Sequence, residues 1–230
     1  MGLRIARAEL AVATARLDAV AAFYAHTLGF AAEQRDGRIV VPVGADVLEL
    51  VATGDDTDPF HHFALLVPGD RFDAARAWLG ARTETLARDD GETVFPFDFW
   101  DARAVYFHDP AGNIVELIAH HGLGEAPAGG APFGPDELLE VSEVGLVNDD
   151  GPALARALAG VGVVVWDGSP EDGLAFAGER ARTVIIAPRG RGWLPTGRPA
   201  EMHRVAVTVR GLPAAEVSVP GTPHRVTTIP

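Results

Sequence analysis

Apolar and polar positions alternate with period two at 9–13, as expected of a strand with one face in a core, and apolar-rich runs at 63–67 and 141–147 take the same place as opening strands. Each run leads into helical spacing, at 18–28, 72–79 and 152–158. Gly29 and Gly80 close the first two helices and Gly160 lies near the end of the third, since glycine takes the left-handed cap conformation without steric cost. Further strands follow in the same order. They are expected at 38–43 and 47–51, then at 93–97, 104–107 and 114–118, then at 163–166, 174–177 and 183–186. A strand–helix–strands order recurring every ~50–60 residues is a repeat. The pattern predicts an α+β chain of βαβββ modules, two complete and a third degraded.

Glycine, proline and alanine crowd residues 122–135, the composition of a linker. The expected organisation is a paired-module unit over 1–121, a linker over 122–139, and a third module with C-terminal strands over 140–230. Two strands are expected in the tail, at 204–209 and 225–229, after an ordered or semi-ordered loop at 190–199. They do not make a complete fourth module.

The net charge is −13, from 32 acidic and 19 basic residues. A nucleic-acid partner is therefore not expected, because backbone binding needs a cationic face. No cysteine is present, which removes disulfides, thiolate zinc sites and cysteine nucleophiles. No apolar run has the ~18 residues of a membrane span, and Met1-Gly2-Leu3-Arg4-Ile5 lacks a secretory apolar region. The expectation is a cytoplasmic protein with a small-molecule partner. Pairing of two chains through exposed sheet edges is left open.

Candidate chemistry sits on the strands that open and close each module. The closing strands align as 47–52, 114–119 and 182–187, placing Glu49, Glu116 and Val184 together. A carboxylate in an aliphatic strand needs a partner or an opening to water. The opening strands align Glu9, His62 and Glu143. If the first two modules pair side by side, Glu9, Glu49, His62 and Glu116 face one cavity. Three carboxylates that close repel unless a cation intervenes. Such N/O donors suit zinc, nickel, cobalt, manganese or ferrous iron. The third module, lacking a closing carboxylate, is assigned a structural role without metal.

Plainer readings stand beside these. Glu9 fits an edge strand pointing to solvent. Period-two alternation sends His61 and His62 to opposite faces, so only one can be the ligand. Phe95, Phe97, Phe99 and Trp100 could wall an apolar pocket or pack beneath the helices. His108 could reach the pocket rim or sit on the surface, while His120 and His121 fall outside the site.

The segment Ala104-Val105-Tyr106-Phe107-His108-Asp109-Pro110-Ala111-Gly112-Asn113-Ile114-Val115-Glu116-Leu117 resembles the strand, Asp-Pro-x-Gly-Asn turn and Glu-bearing strand of the vicinal-oxygen-chelate superfamily. That superfamily includes glyoxalases, bleomycin-resistance proteins and extradiol dioxygenases. Phe23-Tyr24, Leu28-Gly29 and His62-Phe63-Ala64-Leu65 extend the likeness. The segment from Ser142, with residues 192–197, resembles a bacterial subgroup of the same superfamily. The resemblance implies curved mixed sheets around a central cavity, helices outside, and a metal at the centre. Ligands transferred by position fall on Glu9, Glu49, His62 and Glu116. An extradiol triad would take Glu9, His62 and Glu116, but Glu9 stands where many metal-binding members have histidine.

The expected function is a glyoxalase-like, metal-dependent lyase or isomerase acting on a small substrate with adjacent oxygens. Glu49 or Glu116 would move the proton. The alternatives are a metal-free small-molecule binding or resistance protein and, third, an extradiol dioxygenase. One scaffold hosts many activities, so fold alone does not choose.

Overall fold

The computed structural model describes residues 2–124 and 132–230. Residues 125–131 of the expected linker lie outside them. The first module comprises β1 (Arg4–Val12), α1 (Leu17–Ala22) running into a π-helical turn (Phe23–Thr27), β2 (Glu33–Arg35), β3 (Arg38–Val43) and β4 (Asp46–Ala52). The second comprises β5 (His62–Leu66), α2 (Phe72–Gly80), β6 (Thr85–Leu86), β7 (Phe95–Phe97), β8 (Ala102–His108) and β9 (Ile114–His120). The third comprises β10 (Glu140–Asn148), α3 (Gly151–Gly160), β11 (Val165–Gly168), β12 (Ala175–Glu179) and β13 (Arg182–Pro188). A short hairpin, β14 (Gly192–Trp193) and β15 (Arg198–Pro199), precedes β16 (Val205–Arg210), β17 (Ala215–Ser218) and β18 (Arg225–Ile229). Three modules thus form an α+β fold of curved mixed sheets.

In each module the opening and closing strands lie side by side and parallel, as β1–β4, β5–β9 and β10–β13. A parallel pair needs a crossover, which the helix supplies. The tail repeats this pairing in β16–β18 without a helix. It is a fourth, helix-less copy.

Modules pair through their opening strands, and not in the order the repeat suggests. β5 lies antiparallel to β10, and β1 antiparallel to β16. The second module therefore pairs with the third, and the first with the tail. β1 and β10 meet at a single residue pair, Ile5 with Val141. Side-by-side pairing of the first and second modules is not what forms. Each opening strand is a short apolar-rich run with edges free to pair, so the local sequence does not say which partner completes which half.

β5, β9 and β10 are buried along their whole length because both of their faces are covered. One face carries Phe63, Val115, Leu117, Val144 and Leu146 into a core shared with the helix residues Val20, Leu79 and Leu154. The other carries Ala64, Leu66 and Ile118, packed with Ile185 of β13, Trp100 and Trp193. Each fully buried aliphatic or aromatic side chain contributes roughly 1.5–3 kcal/mol, so the first core fixes the curvature over which the second face is hollowed. Among the described residues no helix is long and apolar enough to cross a membrane.

Candidate metal centre

The hollow face of the β5–β10 half holds three buried ligand-type side chains: His62 on β5, Glu116 on β9 and Glu143 on β10. One donor atom from each lies within 4.8 Å of the others. His62 Nε2 stands 3.5 Å from a Glu116 oxygen. The ring is fixed by its other nitrogen, 3.0 Å from the Ile114 carbonyl. A carbonyl only accepts, so Nδ1 carries the hydrogen and the Nε2 lone pair faces the carboxylates. This is the outer-sphere arrangement that orients a metal-binding histidine.

The Asp-Pro-x-Gly-Asn turn holds that strand end in place. Asp109 accepts from the backbone N–H groups of Ala111 and Asn113, from the Asn113 amide and from the Tyr24 hydroxyl. The Asn113 side-chain oxygen in turn accepts from the backbone N–H of His61, at 2.8 Å. The turn therefore ties β5 to β9 one residue from His62. His108, predicted at the pocket rim, is exposed on this turn, with Nδ1 3.2 Å from the Asn113 carbonyl. It is not among the cavity's lining residues.

Burial penalises charge throughout the centre. The His62 imidazole is pushed down to about 4, by burial first and then by the nearby Arg191 charge. Burial raises Glu116, and the Glu143 charge raises it further. Burial alone takes Glu143 up to about 7. The Tyr106 hydroxyl, itself raised by burial, donates to Glu116. Two adjacent carboxylates and a neutral imidazole are thus held where bare negative charge is disfavoured. A divalent cation removes both the repulsion and the desolvation penalty, so the donor set fits one.

The cavity over these groups has a volume of about 350 Å³. Phe97, Phe99, Trp100, Phe176 and Leu174 line one side, and Arg191, Trp193 and Leu194 another. Phe97, Phe99 and Trp100 therefore stand where the sequence suggested. Phe95 lies behind the wall, edge-on to Tyr106 with ring centroids 4.9 Å apart. Trp193 packs against the His62 ring at 4.9 Å. Gly145 makes that contact possible, because a Cβ there would sit 2.9 Å from the Trp193 ring.

Two predicted ligands lie elsewhere. Glu49 is buried on β4, between Arg7 at 3.1 Å and Arg38 at 2.7 Å. Glu9 faces a separate pocket of about 220 Å³ with Ala11, Val51, His203 and Arg204. The strand register explains both placements. Ala64 is opposite Glu116 and His62 opposite Ile114, whereas Glu9 is opposite Glu49 and Arg7 opposite Val47. The counterpart of His62 in the first module is thus Arg7, two residues before Glu9. A guanidinium occupies the corner that an imidazole holds in the second module, and Glu49 is neutralised without a metal.

Glu143, assigned a structural role from sequence, is the third member of the cluster. It faces Thr183, and Gly145 faces Ile185. With Glu143 matched to His62, Ile185 occupies the fourth corner, where Glu116 stands in the second module. Val184, aligned there by sequence, points into the helix-side core. A one-residue slip in register exchanges the faces of a strand. A glutamate within an apolar strand, the signal that picked out Glu116, was also present at Glu143. Of the two histidines, His62 faces the cavity, while His61 Nε2 lies 2.9 Å from the Ala11 carbonyl.

No protein-family model matches the sequence, and no curated protein matches it. Solved structures do. A mutant of glyoxalase I from Zea mays aligns over 99% of this chain and 94% of its own, with TM-score 0.58 and 13% identity. Glyoxalase I from Zea mays aligns over 99% and 92%, with TM-score 0.55 and 15% identity. A putative dioxygenase from Bacillus subtilis subsp. subtilis str. 168 aligns over 98% and 84%, with TM-score 0.57 and 13% identity. At such identities the likeness is one of fold. The chain has the glyoxalase-type fold.

Proposed function

We propose that the protein is a glyoxalase-like, divalent-metal-dependent enzyme of the lyase or isomerase type, acting on a small substrate with adjacent oxygen atoms. One observation carries this reading: His62, Glu116 and Glu143 converge, buried, in a largely aromatic cavity. His62 Nε2 and one oxygen from each glutamate would hold the ion, leaving positions open for substrate oxygens. When bound, the ion supplies Lewis acidity toward those oxygens and stabilises developing negative charge.

The protein's own groups do the rest. The Ile114 carbonyl fixes the His62 ring, and Trp193 covers it from water. The Tyr106 hydroxyl donates to Glu116 and holds that carboxylate in place. One of the two carboxylates would take and return the substrate proton; without an ion, burial raises both. A ring-cleaving dioxygenase is less well supported. The resemblance implies two histidines and one carboxylate for that chemistry, and this cluster offers one histidine and two carboxylates.

The aromatic wall favours a second reading, a binding protein that holds an apolar small molecule without chemistry. Metal analysis of the purified chain separates the two. One divalent ion per chain, lost in Glu143→Gln, supports the enzyme. Protein that takes up no divalent ion even when offered zinc, manganese, cobalt, nickel or ferrous iron sinks it.

A further inference from the structure

Arg191 is the one arginine or lysine among the described residues lining the cavity, and the centre described above does not use it. It is half-buried. One guanidinium nitrogen, Nη1, donates to the Gly192 carbonyl at 2.8 Å. Among the described residues no carboxylate forms an ion pair with it, and burial lowers its pKa with no opposing acid. Its neighbours in the chain and fold have partners elsewhere: Arg182 pairs with Glu140 and Arg189 with Asp149, while Arg198 lies over the Phe60 ring and bonds the Gly112 carbonyl, and Arg180 bonds His120. In a chain of net charge −13, a partly desolvated guanidinium that faces an apolar cavity wall favours a ligand that brings a counter-charge.

The backbone around Arg191 is fixed. Its N–H donates to the Pro188 carbonyl, and its carbonyl accepts from Ala200 N at 2.7 Å. The Gly190 N–H donates to the Ala200 carbonyl at 2.8 Å. The base of the β14–β15 hairpin thus presents the guanidinium beside His62, near enough for its charge to act on the imidazole. Across the cavity the surface is aromatic. Trp100 packs edge-on against Phe176 at 4.5 Å, and its indole N–H is bonded to Asp167 at 2.7 Å. Phe99 at the rim is 74% exposed and Leu194 49%, so apolar surface continues out to solvent.

We propose that Arg191 is a specificity-determining residue, which selects ligands with a flat apolar body and an anionic group, of the aromatic carboxylic acid class. The body lies against Trp100, Phe176 and Phe97, and the carboxylate accepts from the guanidinium in the charge-assisted geometry arginine favours. This inference rests on the cavity being the binding site, but does not require that a metal occupy it.

The test is calorimetric titration of the full chain with 2-naphthoate and with 2-naphthamide, which differ only in the charged group. It is run on protein as purified and again with chelator, so that a carboxylate gains nothing from an ion. Naphthoate is expected to bind at least about tenfold more tightly than the amide in both conditions. In Arg191→Met the preference falls to about onefold while naphthamide affinity stays within about twofold, which also shows the variant is folded. Arg191→Lys retains part of it, because a point charge replaces the fork. Equal affinities in the parent chain, an undiminished preference in Arg191→Met, or binding of neither compound would each overturn the proposal. Metal content of the same samples reports separately on the enzyme reading. A metal-free protein that still prefers naphthoate through Arg191 leaves this inference standing and removes the other.

Discussion

Glu116 and Glu143 flank Ala64 in a single row of the sheet. Ala64 is opposite Glu116 on β9 and opposite Glu143 on β10. The two carboxylates therefore stand two strands apart on the cavity face. The methyl of Ala64 between them leaves the space into which one oxygen of each can lean, and His62, two residues along β5, shares that face.

That row makes the proposed metal centre separable by substitution from the first-module glutamates expected to join it. Glu143→Gln and Glu116→Gln should each weaken zinc binding at least about 100-fold, since each deletes a ligand rather than an outer partner. Glu49→Gln should leave zinc affinity unchanged. It should cost under about 1 kcal/mol of stability, because Arg7 and Arg38 are each well exposed to solvent and screened. Titration with a competing chelator gives the affinities. Loss of zinc in Glu49→Gln with retention in Glu143→Gln would reverse the placement of the site.

Ala64→Leu tests the row itself. The larger side chain fills the space between the carboxylates and should abolish stoichiometric metal uptake, at a cost of about 1–3 kcal/mol from overpacking. Chemical denaturation beside metal analysis distinguishes the two effects. A folded Ala64→Leu that still holds one ion per chain would show that the carboxylates meet elsewhere.

Much of this was legible in the sequence. Alternation locates β1, since it follows directly from which face is buried, and the recurring strand–helix order locates β5 and β10, whose runs are apolar because both faces are covered. Glu116 stood out because an ionisable group in an aliphatic strand needs a partner. Which half-bowl each module completes was not legible, because β1, β5 and β10 offer equivalent edges and the choice rests on long-range packing. From that single gap follow the placement of Glu9 and Glu49 in the centre and the omission of Glu143. The one-residue misalignment at Val184 and Ile185 compounded it by making the third module look emptied of function. Trp193 and Arg191 carried no periodic signal, since they reach the cavity from a two-residue strand and the turn before it.

Gly145→Val should act on His62 without replacing any ligand side chain. The added Cβ would stand 2.9 Å from the Trp193 ring and 3.2 Å from the His62 carbonyl, so the indole must leave its place against the imidazole. Trp193 is almost fully buried, and its displacement should shift tryptophan emission to longer wavelength. Metal affinity should fall as His62 gains rotational freedom. An emission spectrum identical to that of the parent would mean that the ring has another resting place.

Asp109→Ala should be among the more damaging single changes outside the cavity. The carboxylate accepts from four donors, two on the backbone and two on the side chains of Asn113 and Tyr24. Removing it leaves several of them buried without partners, at about 3 kcal/mol or more in total. Urea unfolding measures the loss. A change below about 1 kcal/mol would indicate that water reaches the turn and substitutes for the carboxylate.

Acid lability should trace in part to His120, which is fully buried and whose pKa is pushed down to about 4, by burial first and by the Arg180 charge second. The reference value is 6.5, so between 6.5 and about 4 the unfolded chain takes up a proton that the folded chain refuses. Stability from this group is complete above that window and is lost as pH falls through it. Asp46 acts in the opposite sense. Burial raises it from 3.8 to about 6, against the pull of Arg4, so it contributes most below 3.8 and loses that contribution as pH rises to 6. Urea unfolding in chelator between about pH 4 and pH 7.5 should show His120→Gln losing less stability on acidification than the parent, and Asp46→Asn losing more. Parallel curves for His120→Gln and the parent would mean that His120 keeps an ordinary titration in the folded chain, and that the acid sensitivity lies in other groups.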